Sequence, residues 1–209
     1  MSHDDNRRIV RAYSWVAWIY GLWTWFTEHR SLGAALEPAH IRDGEAVLEV
    51  AVGTGELFQQ ILRKNPSGRN VGVDLTPAML RRARDKAEST HVRHELIEGD
   101  ARSLPFPNES FDLVINNNML GLVPAGAVGP ILTELRRVLR PGGKLILVMM
   151  RKPSVWPARV LFTIGAVKLG RWRDLDLEPS LAALGFEVVR RLRVVQFGVP
   201  SDIFEMRRP

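Results

Sequence analysis

The 209-residue chain contains no cysteine. That absence excludes disulfides, thiolate nucleophiles and cysteine-ligated metal, and it fits a reducing compartment. Five histidines with no paired spacing make a histidine-held metal site equally poorly supported, so no metal is expected. Long apolar runs are missing as well. The uncharged stretch of residues 12–27 has 16 residues, short of the roughly 20 that a spanning helix needs. The first eleven residues set Asp4 and Asp5 beside arginines and offer no small-residue cleavage site. Neither a signal peptide nor a transmembrane segment is expected, and the expected location is cytoplasmic. No internal repeat and no low-complexity stretch interrupts the chain.

What remains is the balance of a soluble globular protein, 45% hydrophobic and 25% charged. The length suits one domain over residues 1–209. Lys and Arg number 29 against 23 Asp and Glu, giving +6. This excess favours acidic partners without choosing among nucleic acid, an anionic membrane and an acidic substrate.

From residue 45 onward apolar runs alternate with helical patterns. Strands are predicted at 46–50, 70–74, 92–98, 111–116, 144–149, 187–195 and 196–206. Helices are predicted at 54–64, 76–89, 130–139 and 178–184, the second opened by Thr76-Pro77 and the third stopped by Pro141-Gly142-Gly143. The early strands are continuous apolar runs, which argues a mostly parallel sheet with helices on both faces, an α/β Rossmann-like fold of seven strands. Residues 1–38 are expected to form a Trp-rich front helix and residues 151–176 an insertion after strand five. Ligands of such sheets sit beyond the carboxyl ends of the strands, where the strand order reverses.

The first strand runs into Glu49-Val-Ala-Val-Gly53-Thr-Gly55. Two glycines there allow a sharp turn and a close backbone approach to a ligand. Asp74 ends strand two, 19 residues after Gly55, where a carboxylate can accept from both hydroxyls of a ribose. Asp100 and Ala101 close strand three, and together they can clamp an adenine edge, carboxylate to exocyclic amine and N–H to ring nitrogen. The third glycine of the dinucleotide fingerprint is replaced by Phe58, and no Gly-Lys-Ser/Thr follows. The set therefore has a glycine turn, a ribose acid and an adenine acid, and no device for phosphate.

In these blocks the sequence resembles the class I S-adenosylmethionine-dependent methyltransferases. The matching stretches are Val47 to Gly55, Gly72 to Leu80, Gly99 to Phe106, Phe111 to Ile115 and Leu135 to Lys144, in that family's order and spacing. The resemblance implies S-adenosyl-L-methionine as cofactor. By it Glu49 faces the methionine amino end. Gly53 and Gly55, with Ala51 and Thr54, line the homocysteine part. Asp74 holds the ribose and Leu75 packs on the adenine. Asp100 and Ala101 take the adenine edge, and Asn116, beside Asn117, offers a backbone carbonyl to the amino group. One departure stands out: the usual first glycine of the motif is Ala51, for which a slightly altered turn is expected.

Tyr13-Ser-Trp-Val-Ala17-Trp-Ile-Tyr20 resembles the front helix of quinone-biosynthesis C-methyltransferases and bacterial phospholipid N-methyltransferases, where it lies over the cofactor as a lid. That likeness brings Tyr13 and Tyr20 to cofactor or substrate. The Asp that commonly follows the second Tyr is Gly21, and the Arg-Asn pair of the quinone enzymes is absent from Asn116-Asn-Asn-Met-Leu-Gly-Leu-Val-Pro124. The first expectation is accordingly methylation of a phospholipid head-group amine, with a quinone-precursor ring or a soluble small molecule as alternatives. A cofactor-binding regulatory module is the non-enzymatic one. Four tryptophans in residues 15–25 and the cations interleaved with apolar residues over 151–173 suit peripheral attachment to an anionic bilayer. The same segments can instead cover the active site. Nucleic acid is disfavoured, because the cations are scattered. No general base is identified; His29 and His40, flanking the front helix, are the candidates beside Tyr13 and Tyr20.

Overall fold

The computed structural model describes residues 33, 35–153, 156, 175–196 and 198–209. Residues 35–39 are helical. Then come β1 (Ala46–Val50), α1 (Glu56–Lys64), β2 (Arg69–Asp74), α2 (Pro77–Glu88), β3 (Glu95–Glu98), β4 (Phe111–Asn117), α3 (Ala125–Val138), β5 (Leu139–Met150), α4 (Glu178–Ala183), β6 (Glu187–Gln196) and β7 (Val199–Arg207). The strands form one seven-stranded sheet in the order β3-β2-β1-β4-β5-β7-β6. All neighbours are parallel except β7, which runs antiparallel to β5 and β6. The chain builds outward from β1 to β3 and then returns to lay β4 on the other side of β1. The order therefore reverses between β1 and β4, and a crevice opens there at the carboxyl ends.

Alternate residues of each central strand face opposite layers. Leu48, Val50, Val71, Val73, Val114 and Leu147 pack with α3 through Ile131, Leu132 and Leu135. Val47, Leu113, Ile115, Ile146 and Val148 pack with α1 and α2. Helix α1 presents Leu57, Phe58, Ile61 and Leu62 as one buried stripe, the spacing that places residues on one helical face. Both faces of the sheet are covered, which is why the strands read as apolar runs.

Three boundaries differ from the sequence expectation. The third strand begins at Glu95, not 92, because the Val92 N–H is taken by Thr90 Oγ1 and the Val92 carbonyl by the His94 ring, outside the ladder. Helix α3 begins five residues before Pro130, which sits inside it. The Pro-Gly-Gly segment does not end that helix: α3 stops at Val138 and the strand starts at Leu139, so the segment lies within β5. Leu139 pairs with Phe111, and the register slips before Leu113 pairs with Lys144. Gly142, with φ of 75°, donates to the Arg208 carbonyl and Arg208 to the Gly143 carbonyl, so a distant segment holds the two glycines in place. Most of the expected lid (1–38) and of the insertion (151–176) lies outside the described residues, including Tyr13, Tyr20 and His29.

Candidate active site

The register brings the carboxyl ends of four strands to one rim. Val50 lies opposite Val73 on one side and Asn116 on the other, and Asp74 lies opposite Glu98. The sequence between β1 and α1 bends back over this rim. Ala51, Gly53 and Gly55 all have left-handed backbone, with φ of 62°, 54° and 82°. The Val52 N–H donates to the Val73 carbonyl at 3.0 Å, and the Gly53 N–H donates to Asp74 Oδ2 at 2.8 Å. Asp74 Oδ1 accepts the Thr76 N–H at 2.8 Å. Asp74 is thus the anchor of the glycine turn and of the start of α2 at once. The Thr76 side chain and the Leu75 N–H also bear on this carboxylate, so a ligand hydroxyl would share it with the turn.

The two glycines do different work. A Cβ on Gly53 would meet nothing within 4 Å, whereas a Cβ on Gly55 would stand 2.7 Å from Ala83 Cα. Gly53 leaves open space at the rim. Gly55 lets α1 close on α2, so the absence of its side chain serves helix packing, not room for a ligand.

Glu49 is 2% exposed. Burial pushes its carboxyl well above the ordinary range, and the nearby Asp74 adds to the shift. Asp74 is itself raised by burial, against the pull of the backbone N–H groups it accepts. Glu49 Oε2, Asn116 Oδ1 and Asn117 Oδ1 are buried and accept no hydrogen bond. Asn116 donates through Nδ2 to the Val50 carbonyl at 2.8 Å, which ties β4 to β1 at the point where the strand order reverses. Two desolvated carboxyls and three unmet acceptor oxygens form a place for a cationic donor group.

Asp100 stands where expected, after β3, but its carboxylate is folded onto its own neighbour. Its Oδ1 accepts from both the Arg102 backbone N–H and Nε at 2.9 Å, and the guanidinium completes an ion pair. A ligand amine would share this carboxylate with Arg102, a partner the sequence did not suggest. Leu75 and Ala101 are half-buried beside it, and Thr54 is buried in the turn.

His40 is not at this rim. Lys144 Nζ donates to the Ala39 and His40 carbonyls, and Lys144 opens the parallel part of β5, pairing with Leu113. From there to Val148, opposite Asn117, is four residues, roughly 13 Å along a strand. His40 instead lines a groove of about 720 Å³ at the amino ends with Arg42, Asp43, Asp112 and Arg140. It was placed near the pocket because it follows the front segment in sequence. The turn at residues 40–45 carries it to the far edge.

The profile of a methyltransferase domain family matches residues 47–143. Demethylmenaquinone methyltransferase of Thermus thermophilus is 33% identical over 195 residues, covering 82% of this chain and 85% of that protein. The chain belongs to the class I S-adenosylmethionine-dependent methyltransferases. A second relative, the ubiquinone/menaquinone biosynthesis C-methyltransferase UbiE of Pseudomonas paraeruginosa, is 35% identical over 139 residues, 65% of this chain and 50% of that protein. The chain thus spans about half the length of this longer relative. Among solved structures, magnesium protoporphyrin IX methyltransferase from Synechocystis PCC 6803 with bound S-adenosylhomocysteine superposes with a TM-score of 0.64 at 20% identity, covering 97% of this chain and 86% of that one. The [4+2]-cyclase SpnF superposes at 0.71 and 21%, covering 86% and 81%. The second match shows the same fold under a different chemistry, so the fold alone does not name the reaction.

The rim residues fit the family's cofactor on their own evidence. Glu49, Asn116 and Asn117 supply unmet acceptors for an ammonium, Gly53 supplies room, and Asp74 and Asp100 follow toward β3. S-adenosyl-L-methionine is the cofactor of this enzyme class. Asn118, not among the residues expected at the site, also lies at this rim, in left-handed backbone with φ of 57°. An Asn directly after a strand is the signal that could have found it, since Asn is enriched in that conformation.

Proposed function

We propose that the enzyme methylates a ring carbon of a lipophilic quinone precursor. The observation that carries this reading is the relationship to demethylmenaquinone methyltransferase, at 33% identity over 82% of the chain. The phospholipid amine that the front segment first suggested gives way to the ring, since the relatives with matching names act in quinone biosynthesis.

The chain's own residues divide the work along the rim. Asp74 and Asp100 hold the nucleoside, and Glu49 with Asn116 and Asn117 takes the ammonium end. When bound, the cofactor supplies a methyl group already activated on a sulfonium. Alignment of donor and acceptor is then the main requirement, and it can contribute about 7–11 kcal/mol. A reduced ring, a quinol, carries the nucleophilic carbon, because its hydroxyl oxygen donates electron density to the adjacent ring position.

A lipophilic acceptor reaches the enzyme from a bilayer. Residues 12–27 and 151–173 carry the tryptophans and cations suited to such a surface, and Trp156 is 77% exposed. No helix among the described residues is long and apolar enough to cross a membrane, so the proposal is attachment to the surface.

The test is methyl transfer from radiolabelled S-adenosylmethionine in vesicles holding dithionite-reduced demethylmenaquinone or, separately, phosphatidylethanolamine. Label should enter the quinone alone. Label in the phospholipid alone would overturn the reading. Co-sedimentation with anionic but not neutral vesicles checks the surface claim.

A further inference from the structure

Asn118 is 4% exposed and leaves a donor unmet, which sets it apart from the acceptors around it. Its backbone N–H donates to the Val148 carbonyl at 2.9 Å, carrying the β4–β5 ladder one residue past the end of β4. Its side-chain Oδ1 accepts the Met150 N–H at 2.8 Å. An N–H can only donate, so this bond fixes which end of the amide is oxygen. The amide cannot turn over. Nδ2 is left buried, with no hydrogen-bond partner. Leaving a buried donor unmet is unfavourable, and here a fixed amide holds it in place.

The position completes the argument. Asp100 follows β3, Asp74 ends β2, and Glu49 lies near the end of β1. Base, ribose and amino acid end therefore step across adjacent strands, each about 4.8 Å apart, and the direction of travel is toward β4. The next position along the rim, where an acceptor would meet the methyl, is the boundary of β4 and β5. Asn118 Oδ1 and N–H are bonded to β5 at that boundary.

We propose that Asn118 Nδ2 donates a hydrogen bond to the ring oxygen next to the carbon that is methylated. This rests on the ring-methylation reading and sharpens it: a donor suits a phenolic or carbonyl oxygen, whereas an amine acceptor would call for an acceptor side chain. In the step, the ring carbon's π electrons form the new carbon–methyl bond, and the methyl–sulfur bond breaks with its electrons passing to sulfur. The ring proton then leaves to water and aromaticity returns, with no oxidant consumed. Asn118 steadies the negative charge on the oxygen that drives the attack.

Two variants test it. Asn118→Asp keeps an acceptor for the Met150 N–H but removes the donor. Asn118→Gly keeps the left-handed backbone without adding charge. They share the loss of Nδ2. With a 1,4-naphthoquinol as acceptor, both should lower kcat by about 100-fold, as loss of one oxyanion donor does elsewhere. Both should move the rate profile at least about one pH unit to the alkaline side, because the ring hydroxyl ionises less readily. Affinity for S-adenosylhomocysteine should stay within about twofold. Rates and profile like wild type in the glycine variant would overturn the proposal.

If wild-type enzyme transfers nothing to the quinol, ring methylation falls, and binding decides the role of Asn118. Tryptophan quenching by 2-methyl-1,4-naphthoquinone, with S-adenosylhomocysteine present, should then weaken about tenfold in both variants. Equal affinity in variant and wild type, or no binding to wild type, would overturn it.

Discussion

The two ends of one sheet treat their buried asparagines in opposite ways. At the amino end, Asn65 and Asn70 are 0% and 1% exposed, yet they bond in full view of each other. Asn65 Oδ1 accepts the Gly44 N–H, and its Nδ2 donates to the Glu45 carbonyl and to Asn70 Oδ1. Asn70 Nδ2 donates to the carbonyls of Asn65 and Gly68. At the carboxyl end, Glu49, Asn116, Asn117 and Asn118 each leave an atom unmet. The residue types are nearly the same and the burial is similar. One network is closed by the protein alone; the other, on the proposed reading, is completed by the bound cofactor and acceptor. A cluster of unmet carboxyl and amide atoms marks the carboxyl end more sharply than a groove does, since the 720 Å³ groove lies at the amino end, where the unmet atoms are the lone Nε of Arg136 and of Arg208.

The largest effect that would break this comparison is at the turn anchor. Asp74→Ala removes the acceptor for the Gly53 and Thr76 N–H groups as well as the ribose partner. Losing two charge-assisted bonds at about 1.5 kcal/mol each predicts cofactor affinity weaker by about 100-fold. Calorimetric titration with S-adenosylhomocysteine measures it. Unchanged affinity would reduce Asp74 to a part of the turn.

The amino end should respond in the complementary way. Asn65→Ala strands the Gly44 N–H, the Glu45 carbonyl and Asn70 Oδ1. We expect a loss of about 2 kcal/mol in urea unfolding, with cofactor affinity unchanged within twofold. Weakened binding in a folded Asn65→Ala protein would show that the two ends are not separate in function.

How much of this was legible in the sequence follows from which interactions are local. The strands showed as apolar runs because both faces are packed, and the order of blocks placed Glu49, Gly53, Asp74 and Asn116 correctly at strand ends. Boundaries set by distant partners were not legible. Arg208 holds the Pro-Gly-Gly segment within β5 from 65 or more residues away, and no pattern around residues 139–144 announces it. The location of His40 failed for a related reason, since a turn of a few residues decides which end of the sheet a side chain reaches. The distinct roles of Gly53 and Gly55 were hidden too, because Ala83 belongs to another helix. Asp100 was found by its place after a strand, while its neighbour Arg102 was not, because a lone arginine there reads as a surface residue.

Glu49 offers a pH test of the carboxyl end. Its pKa is raised by burial in the free protein, and a cationic group set beside it lowers that pKa again. Binding then releases a proton, so cofactor affinity should rise with pH through the window between the bound and free values. Glu49→Gln should flatten that rise and weaken binding by about tenfold, read by titration in two buffers of different ionisation enthalpy. Stability moves the other way. A folded pKa above the ordinary 4.5 gives stability that is full below that value and lost as pH rises through the folded one. The neutral glutamine avoids this loss, so the variant should melt higher than wild type in mildly alkaline buffer. A lower melting temperature there would mean that Glu49 is paired as a structural anion.

The smallest effect concerns the one departure from the family's glycine pattern. Ala51 has φ of 62°, a left-handed conformation in which a side chain costs about 1–2 kcal/mol. Glycine relieves that strain but loses more freedom on folding, about 0.5–1 kcal/mol. Ala51→Gly should therefore stabilise the protein by about 0.5–1 kcal/mol, resolvable in urea unfolding with an unchanged slope. Where the family's usual glycine would stand, the turn has a left-handed alanine beside two bonds, the Val52 N–H on the Val73 carbonyl and the Gly53 N–H on Asp74. If those bonds impose the conformation, Asp74→Ala should let the alanine relax, and the gain from Ala51→Gly should shrink in that background. An equal gain in both backgrounds would show that Asp74 does not hold the turn, and that the carboxyl end is shaped by the strand ends alone.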